Sequence, residues 1–321
     1  MTHREADLSK VRTIPISARR NKVDPALIAA PPGADRSFAA FLAALPDQLA
    51  ARDLRLIIAH LAEAHRTRKG VVLFLGGHVI KVGLGPLINA LIDTGLVTHV
   101  AMNGAAAIHD FELAAYGGTS EDVEAGLGDG TFGMAEETGA EMNAAILAAH
   151  RAGQGLGEGL GQALAERKGL PGGEASILLR AHERKVPLTV HVAIGADIIH
   201  QHPTADGEAL GGTTFRDFKR LAHSLPSLDG GGAVLNLGSA VVLPEVFLKA
   251  LTIARNLGAG RPRDFLAADF DMIKQYRPRM NVVSRPTKAG GTGIMITGHH
   301  EVMVPLLVWG VLSALEVRSE K

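Results

Sequence analysis

The stretch VVLFLGGHVIKVGLGPL, residues 71–87, carries the reading of the fold. Val71–Leu75 is a continuous apolar run closed by Gly76–Gly77, the pattern of a strand buried on both faces. Gly83–Leu84–Gly85–Pro86 then leads into the helical stretch Leu87–Asp93, with proline where a first helical turn tolerates its missing N–H. Upstream, Leu54, Ile57, Ile58, Leu61 and His65 follow the i, i+3, i+4, i+7 spacing of an amphipathic helix that ends near Lys69–Gly70. Downstream the order repeats: strand Val97–Met102, loop Asn103–His109, helix Phe111–Tyr116. Such alternation predicts an α/β protein, a parallel sheet with helices on both faces.

Further strands are expected at Leu188–Ile194, Ala233–Leu237, Phe265–Phe270, Asn281–Ser284 and Ile294–Thr297. Helices are expected at Ala175–Lys185, Phe215–His223, Pro244–Asn256 and Glu301–Leu315. Residues 1–40 hold no sustained period and are broken by Pro15, Pro25, Pro31 and Pro32, which predicts an extended N-terminal arm. The remainder, 41–321, reads as a single domain. Within it, 117–173 looks like an insertion: a helix over Glu136–Arg151 is followed by glycine at 153, 155, 157, 159 and 161, where irregular, mobile backbone is expected.

The composition narrows the function classes. A hydrophobic fraction of 46% with 21% charged residues excludes a disordered chain. Thirty-three basic against thirty-three acidic residues leave no net field to recruit nucleic acid or an anionic membrane. No apolar run approaches the ~20 residues of a membrane helix. The absence of cysteine excludes disulfides, thiolate metal sites and thiol nucleophiles, and fits a cytoplasmic protein.

In an open parallel sheet, ligands sit beyond the carboxyl ends of the strands. Those ends present Gly76–Gly77–His78, Asn103–Gly104, Gly195–Asp197, Gly238–Ser239, Asp269–Asp271 and Gly298–His299–His300. Glycine there lets backbone approach a phosphate, and a carboxylate can accept from ribose hydroxyls. The first loop is not the full G-x-G-x-x-G fingerprint, because Ile88 stands where its third glycine belongs. Several of the fourteen histidines also fall at strand ends, among them His78, His109, His200, His202, His299 and His300. His200 and His202, joined by His299 or His300, leave a divalent-metal site open as an alternative. Arg277, Arg279, Arg285 and Lys288 form a cationic group suited to a carboxylate or phosphate, Lys288 also to nucleophilic chemistry.

The order of these motifs resembles the deoxyhypusine synthase family from about Val71 to Leu315. Phe74–Gly83 resembles its first nucleotide loop and Leu96–Asp110 the second. Ser176–Asp197, with Lys185–Val186–Pro187, resembles the helix and strand before its next active-site loop. Leu237–Gly238 with Val241–Val242 is similar to its glycine-rich strand end, and Val304–Pro305–Leu306–Leu307 to its closing helix. The resemblance implies a Rossmann-like fold of the sirtuin superfamily, NAD at these loops, and a homotetramer of tight dimers. It further implies a lysine that forms an imine with an aminobutyl group; Lys288 lies about where that lysine would, although Ser284–Thr287 does not match the family's context. Leu243–Pro244 replaces the family's paired histidines, the acidic polyamine loop is missing, and Arg277 and Arg279 stand near its place.

The sequence therefore predicts a deoxyhypusine synthase-like enzyme, a dimer or tetramer, that binds NAD at Gly77, His78, Asn103, Gly104, Gly238 and Ser239. Asp197, His200 or His299 would be its acid or base and Lys288 its imine former, acting on a small, non-polyamine substrate with an anionic or neutral character. Two other readings stay open: a metal-dependent hydrolase or lyase on His200, His202, His299 and His300, and a non-catalytic nucleotide-binding protein.

Overall fold

A computed structural model describes residues 3–258 and 261–319. Its centre is one six-stranded, wholly parallel sheet in the order β3-β2-β1-β4-β5-β6. The strands are β1 (Val71–Leu75), β2 (His99–Asn103), β3 (Leu188–His191), β4 (Gly232–Leu237), β5 (Phe265–Asp271) and β6 (Thr292–Thr297). This is the Rossmann-like α/β architecture that the alternating pattern predicts. The inner strands are buried along their whole length because helices cover both faces.

On one face lie α2 (Leu49–Arg66), α4 (Gly85–Asp93), α5 (Gly104–Tyr116), α8 (Leu156–Glu166), α9 (Ile177–Glu183) and α13 (His300–Ser319). They pack on Val71, Leu73, Leu75, Val100, Leu235 and Phe270. On the other face α10 (Gly207–Ser224) and α11 (Val242–Leu257) pack on the alternate residues Val72, Phe74, Val234 and Ala267. Before β1, α1 (Phe38–Ala44) is the first helix. Residues 3–36 are exposed except for the half-buried Leu27, and contain short 3-10 turns such as Leu8–Lys10 and Pro25–Leu27.

The edge strand β3 has its open backbone groups filled by α10. Val190 N–H donates to Asp217 Oδ2 at 2.8 Å, and Thr214 Oγ1 donates to Val190 O at 2.8 Å. Paired in this way, the edge offers no template to another strand.

Two expectations are corrected. The glycine run after Gly153 is regular: α8 follows α7 (Glu136–Arg151), and its glycines permit close packing. A Cβ at Gly157 would lie 2.3 Å from Leu188 O, and one at Gly159 2.4 Å from Ala149 Cβ. Asn281–Ser284 is not a strand. It belongs to a π-helical turn, Pro278–Ser284, that runs into the single turn α12 (Arg285–Thr287) and buries Val282 and Val283 against the α11 face. A short apolar run has no period long enough to separate the two states. Among the described residues no helix is long and apolar enough to cross a membrane.

Candidate functional site

The strand order reverses between β1 and β4, so their outgoing chains turn in opposite directions and open a crevice at the carboxyl ends. Gly76 N–H continues the sheet by donating to Leu237 O at 2.9 Å, and Gly238 N–H donates to Phe270 O at 3.1 Å. Gly238 is left-handed, φ 71°, and a Cβ at Gly76 would stand 2.1 Å from its carbonyl oxygen. These glycines first allow the two loops to touch.

Around this point lie the residues expected to hold a nucleotide. Gly77 and His78 start the short helix α3 (Gly77–Lys81). Asn103 caps α5, its side chain accepting from Ala106 N–H at 2.9 Å, and Ser239 Oγ accepts from Leu243 N–H at 3.3 Å in the first turn of α11. The N-termini of α5 and α11 thus flank the reversal from its two halves, with the partial positive charge of unpaired N–H groups. Beneath Gly238 lies His300, whose Nε2–H donates to Phe270 O at 3.0 Å and whose ring meets His78 edge-to-face at 5.4 Å.

A cavity of about 540 Å³ opens beyond β1, β2 and β3, reached from Lys81 and Ala105 on one side and Asp197 on the other. Burial pushes the Asp197 carboxyl up to about 6, opposed by a hydrogen bond from the Ala193 backbone. Its Oδ2 has no hydrogen-bond partner, nor has His200 Nε2, 3.9 Å away. His200 Nδ1 accepts from Gly195 N–H at 3.3 Å, which leaves the ring proton on Nε2, facing Asp197. Two unfilled polar atoms so placed suit a ligand group beside them.

The opposite wall contains a chain that sequence reasoning did not assemble. His109 Nδ1 lies 2.7 Å from Thr119 Oγ1, Thr119 Oγ1 donates to Glu112 Oε2 at 2.5 Å, and Thr138 Oγ1 donates to Glu112 Oε1 at 2.9 Å. Burial, then the Lys81 charge, bring the His109 ring down to about 4. With the ring neutral, the 3.9 Å approach of His109 Nδ1 to Glu112 is a path bridged by Thr119 and not an ion pair. The sequence reading puts His109 at the end of a loop; it stands instead in the second turn of α5, where Glu112 three residues later on the same helix face was the available signal. Glu112, Glu121, Glu137 and Asp197 against Lys81 make the lining acidic.

Other predicted residues do not join. Lys288 is exposed in the turn before the amino end of β6, at the opposite end of the sheet from the crevice, because the preceding segment folds as the π-turn and not as a strand. The expected imine former is therefore not brought to this cavity. His299 is at the carboxyl end of β6, but its side chain is 70% exposed and faces Glu301 at 3.7 Å. His202 is buried, its Nε2–H donating to Gly133 O at 2.8 Å. Among the described residues no three or more His, Cys, Asp or Glu side chains are grouped to hold a metal ion, so the metal alternative on His200, His202, His299 and His300 is not assembled. Arg277 is committed to Glu245 at 3.3 Å, near the start of α11 and outside the cavity lining.

No family model and no curated protein matches this sequence. Among solved structures, a deoxyhypusine synthase candidate from Entamoeba histolytica is 10% identical over 86% of this chain and 93% of its own, with a TM-score of 0.50. A conserved LOR/SDH candidate from Methanococcus maripaludis S2 is 15% identical over 86% of this chain and 72% of its own, TM-score 0.48. AgrE in its ternary complex with ornithine and NAD+ is 15% identical over 84% of this chain, TM-score 0.49; this chain spans 33% of that one. By fold the protein is a doubly wound, Rossmann-like α/β protein. More particularly, its fold is similar to that of the deoxyhypusine synthase candidate.

Proposed function

We propose that this protein is an NAD-dependent enzyme whose substrate is a small molecule bearing a cationic or strongly hydrogen-bond-donating group. The observation that carries the reading is the buried Asp197 carboxyl, whose Oδ2 has no hydrogen-bond partner, in a cavity beyond the carboxyl ends of β1, β2 and β3. Gly77, His78, Asn103, Gly104, Gly238 and Ser239 would hold the nucleotide, with backbone N–H groups and two helix N-termini toward its phosphates. Bound there, NAD supplies a hydride acceptor. Asp197 and His200 act on the substrate's protons.

The acidic lining favours a cationic group over the anionic or neutral substrate expected from the sequence. Arg277 and Arg279, which suggested it, are not part of the lining. A volume of about 540 Å³ suits a compact molecule. The reading includes a homodimer or homotetramer: Phe41, Val302 and Trp309 are 48%, 54% and 57% exposed, on α1 and α13.

Calorimetric titration with NAD, beside native mass spectrometry, tests the proposal. Saturable binding of one NAD per chain, retained in Asp197→Asn, is expected. A wild-type protein indifferent to NAD and ADP-ribose would overturn the nucleotide reading.

A further inference from the structure

The chain from His109 to Glu112 has only one consistent order of protons. A carboxylate accepts only, so the single hydroxyl proton of Thr119 is spent on Glu112. Thr119 Oγ1 must then accept from the ring, which requires His109 to carry its proton on Nδ1. Nε2 is left bare. Its neighbouring ring carbon Cδ2 would lie 3.2 Å from a Cβ at Gly77, so this edge of the ring borders both the first nucleotide loop and the cavity. Thr138, from α7, fixes the other carboxylate oxygen.

We propose that His109 is a second proton acceptor of this cavity, across from Asp197, held as its Nδ1–H tautomer by Glu112 acting through Thr119. The proton leaves an O–H or N–H of the bound molecule and arrives on Nε2; the resulting imidazolium keeps its Nδ1–H on Thr119 and is faced by Glu112. Glu112 and Thr119 are positioning residues, since neither needs to touch the bound molecule. The charged and titratable groups lining the same space are, besides His109, Lys81 from α3, Glu112 and Tyr116 from α5, Glu121 from the following loop, Glu137 from α7 and Asp197 from the loop after β3. Burial and Lys81 oppose protonation of the free ring, which leaves it neutral, with Nε2 unprotonated, at neutral pH. This assignment rests on the enzymatic reading above only for the word acceptor; the tautomer stands apart from NAD.

Nitrogen-15 NMR of histidine-labelled, ligand-free protein reads the tautomer directly. The expected spectrum has His109 neutral and protonated at Nδ1, with the same signature in Thr119→Ser and loss of that preference in Thr119→Val. Carbethoxylation by diethyl pyrocarbonate, mapped by mass spectrometry, reads whether Nε2 is bare and accessible. Modification of His109 should persist at pH 5.5, where exposed histidines lose reactivity, and should fall about tenfold in Thr119→Val, the factor that one ordinary hydrogen bond contributes. A wild-type His109 protonated at Nε2, a tautomer unchanged by Thr119→Val, or a His109 inert to the reagent would each overturn the proposal. Failure of NAD to bind would instead overturn the nucleotide reading and leave these signatures in place.

Discussion

The carboxylate of Asp197 lies against the backbone of Gly104 so closely that a Cβ at Gly104 would stand 2.0 Å from Oδ2. Two loops that leave neighbouring strands β2 and β3 thereby set the acid at the first turn of α5. Gly104→Ala should push Asp197 out of place. We expect a folded protein with unchanged circular dichroism whose affinity for a cavity ligand falls at least as far as in Asp197→Asn. A full-affinity Gly104→Ala protein would show that Asp197 does not need this seat.

Asp197 titrates near pH 6, raised by burial. A cationic ligand should therefore bind more tightly as pH rises from 5 to 7 and the carboxyl ionises. In Asp197→Asn that part of the pH dependence disappears, which titration calorimetry at three pH values checks.

Asp217 is fully buried, and its Oδ2 accepts from Gly157 N–H at 2.9 Å and Val190 N–H at 2.8 Å. Alanine would strand two buried donors, with a cost of about 2–4 kcal/mol. Asn keeps an acceptor oxygen and removes a carboxyl that burial has already raised to about 7. Urea unfolding at pH 7 should place Asp217→Ala far below wild type and Asp217→Asn near it.

His99 is buried between Ser224 Oγ, 2.8 Å from Nδ1, and Thr189 Oγ1, 2.9 Å from Nε2, and burial brings its pKa down from 6.5 to about 3. Between those values the unfolded chain holds a proton that the native ring refuses. Its contribution is fully present above pH 6.5 and is lost as pH falls, with a slope of roughly 1.4 kcal/mol per pH unit inside the window. Denaturant midpoints from pH 6.5 to 4.5 should fall less steeply in His99→Gln than in wild type.

Lys288 tests the placement of the site. It is exposed at the amino end of β6, and Lys288→Ala should change stability by less than about 0.5 kcal/mol and leave NAD binding intact. Loss of NAD binding in that variant would show that the turn before β6 reaches a nucleotide site.

The layered α/β fold was legible because its signals are local. Val71–Leu75, Ala233–Leu237 and Phe265–Phe270 are runs of strand length, apolar but for Asn236 and Asp269 and bounded by turn residues, and the amphipathic period of Leu54 to Leu61 has no strand-like interpretation. The glycine-bearing loops at the strand ends were legible for the same reason, and so was His109 as a single residue. Where period fails, the reading failed: Asn281–Ser284 is too short to show one, and the glycines of α8 are helical only because α7, α9 and β3 pack against them.

Tertiary structure alone decided which of these residues act together. Strand order places the crevice between Gly76 and Gly238, although 161 residues of chain lie between them. It seats Asp197 on Gly104, closes the path from His109 through Thr119 to Glu112, and leaves Lys288 at the far end of the sheet. Hydrophobic period is written along the chain because each element buries its own face. A hydrogen bond between distant side chains has no period, and exists only once the sheet has brought its partners within 3 Å.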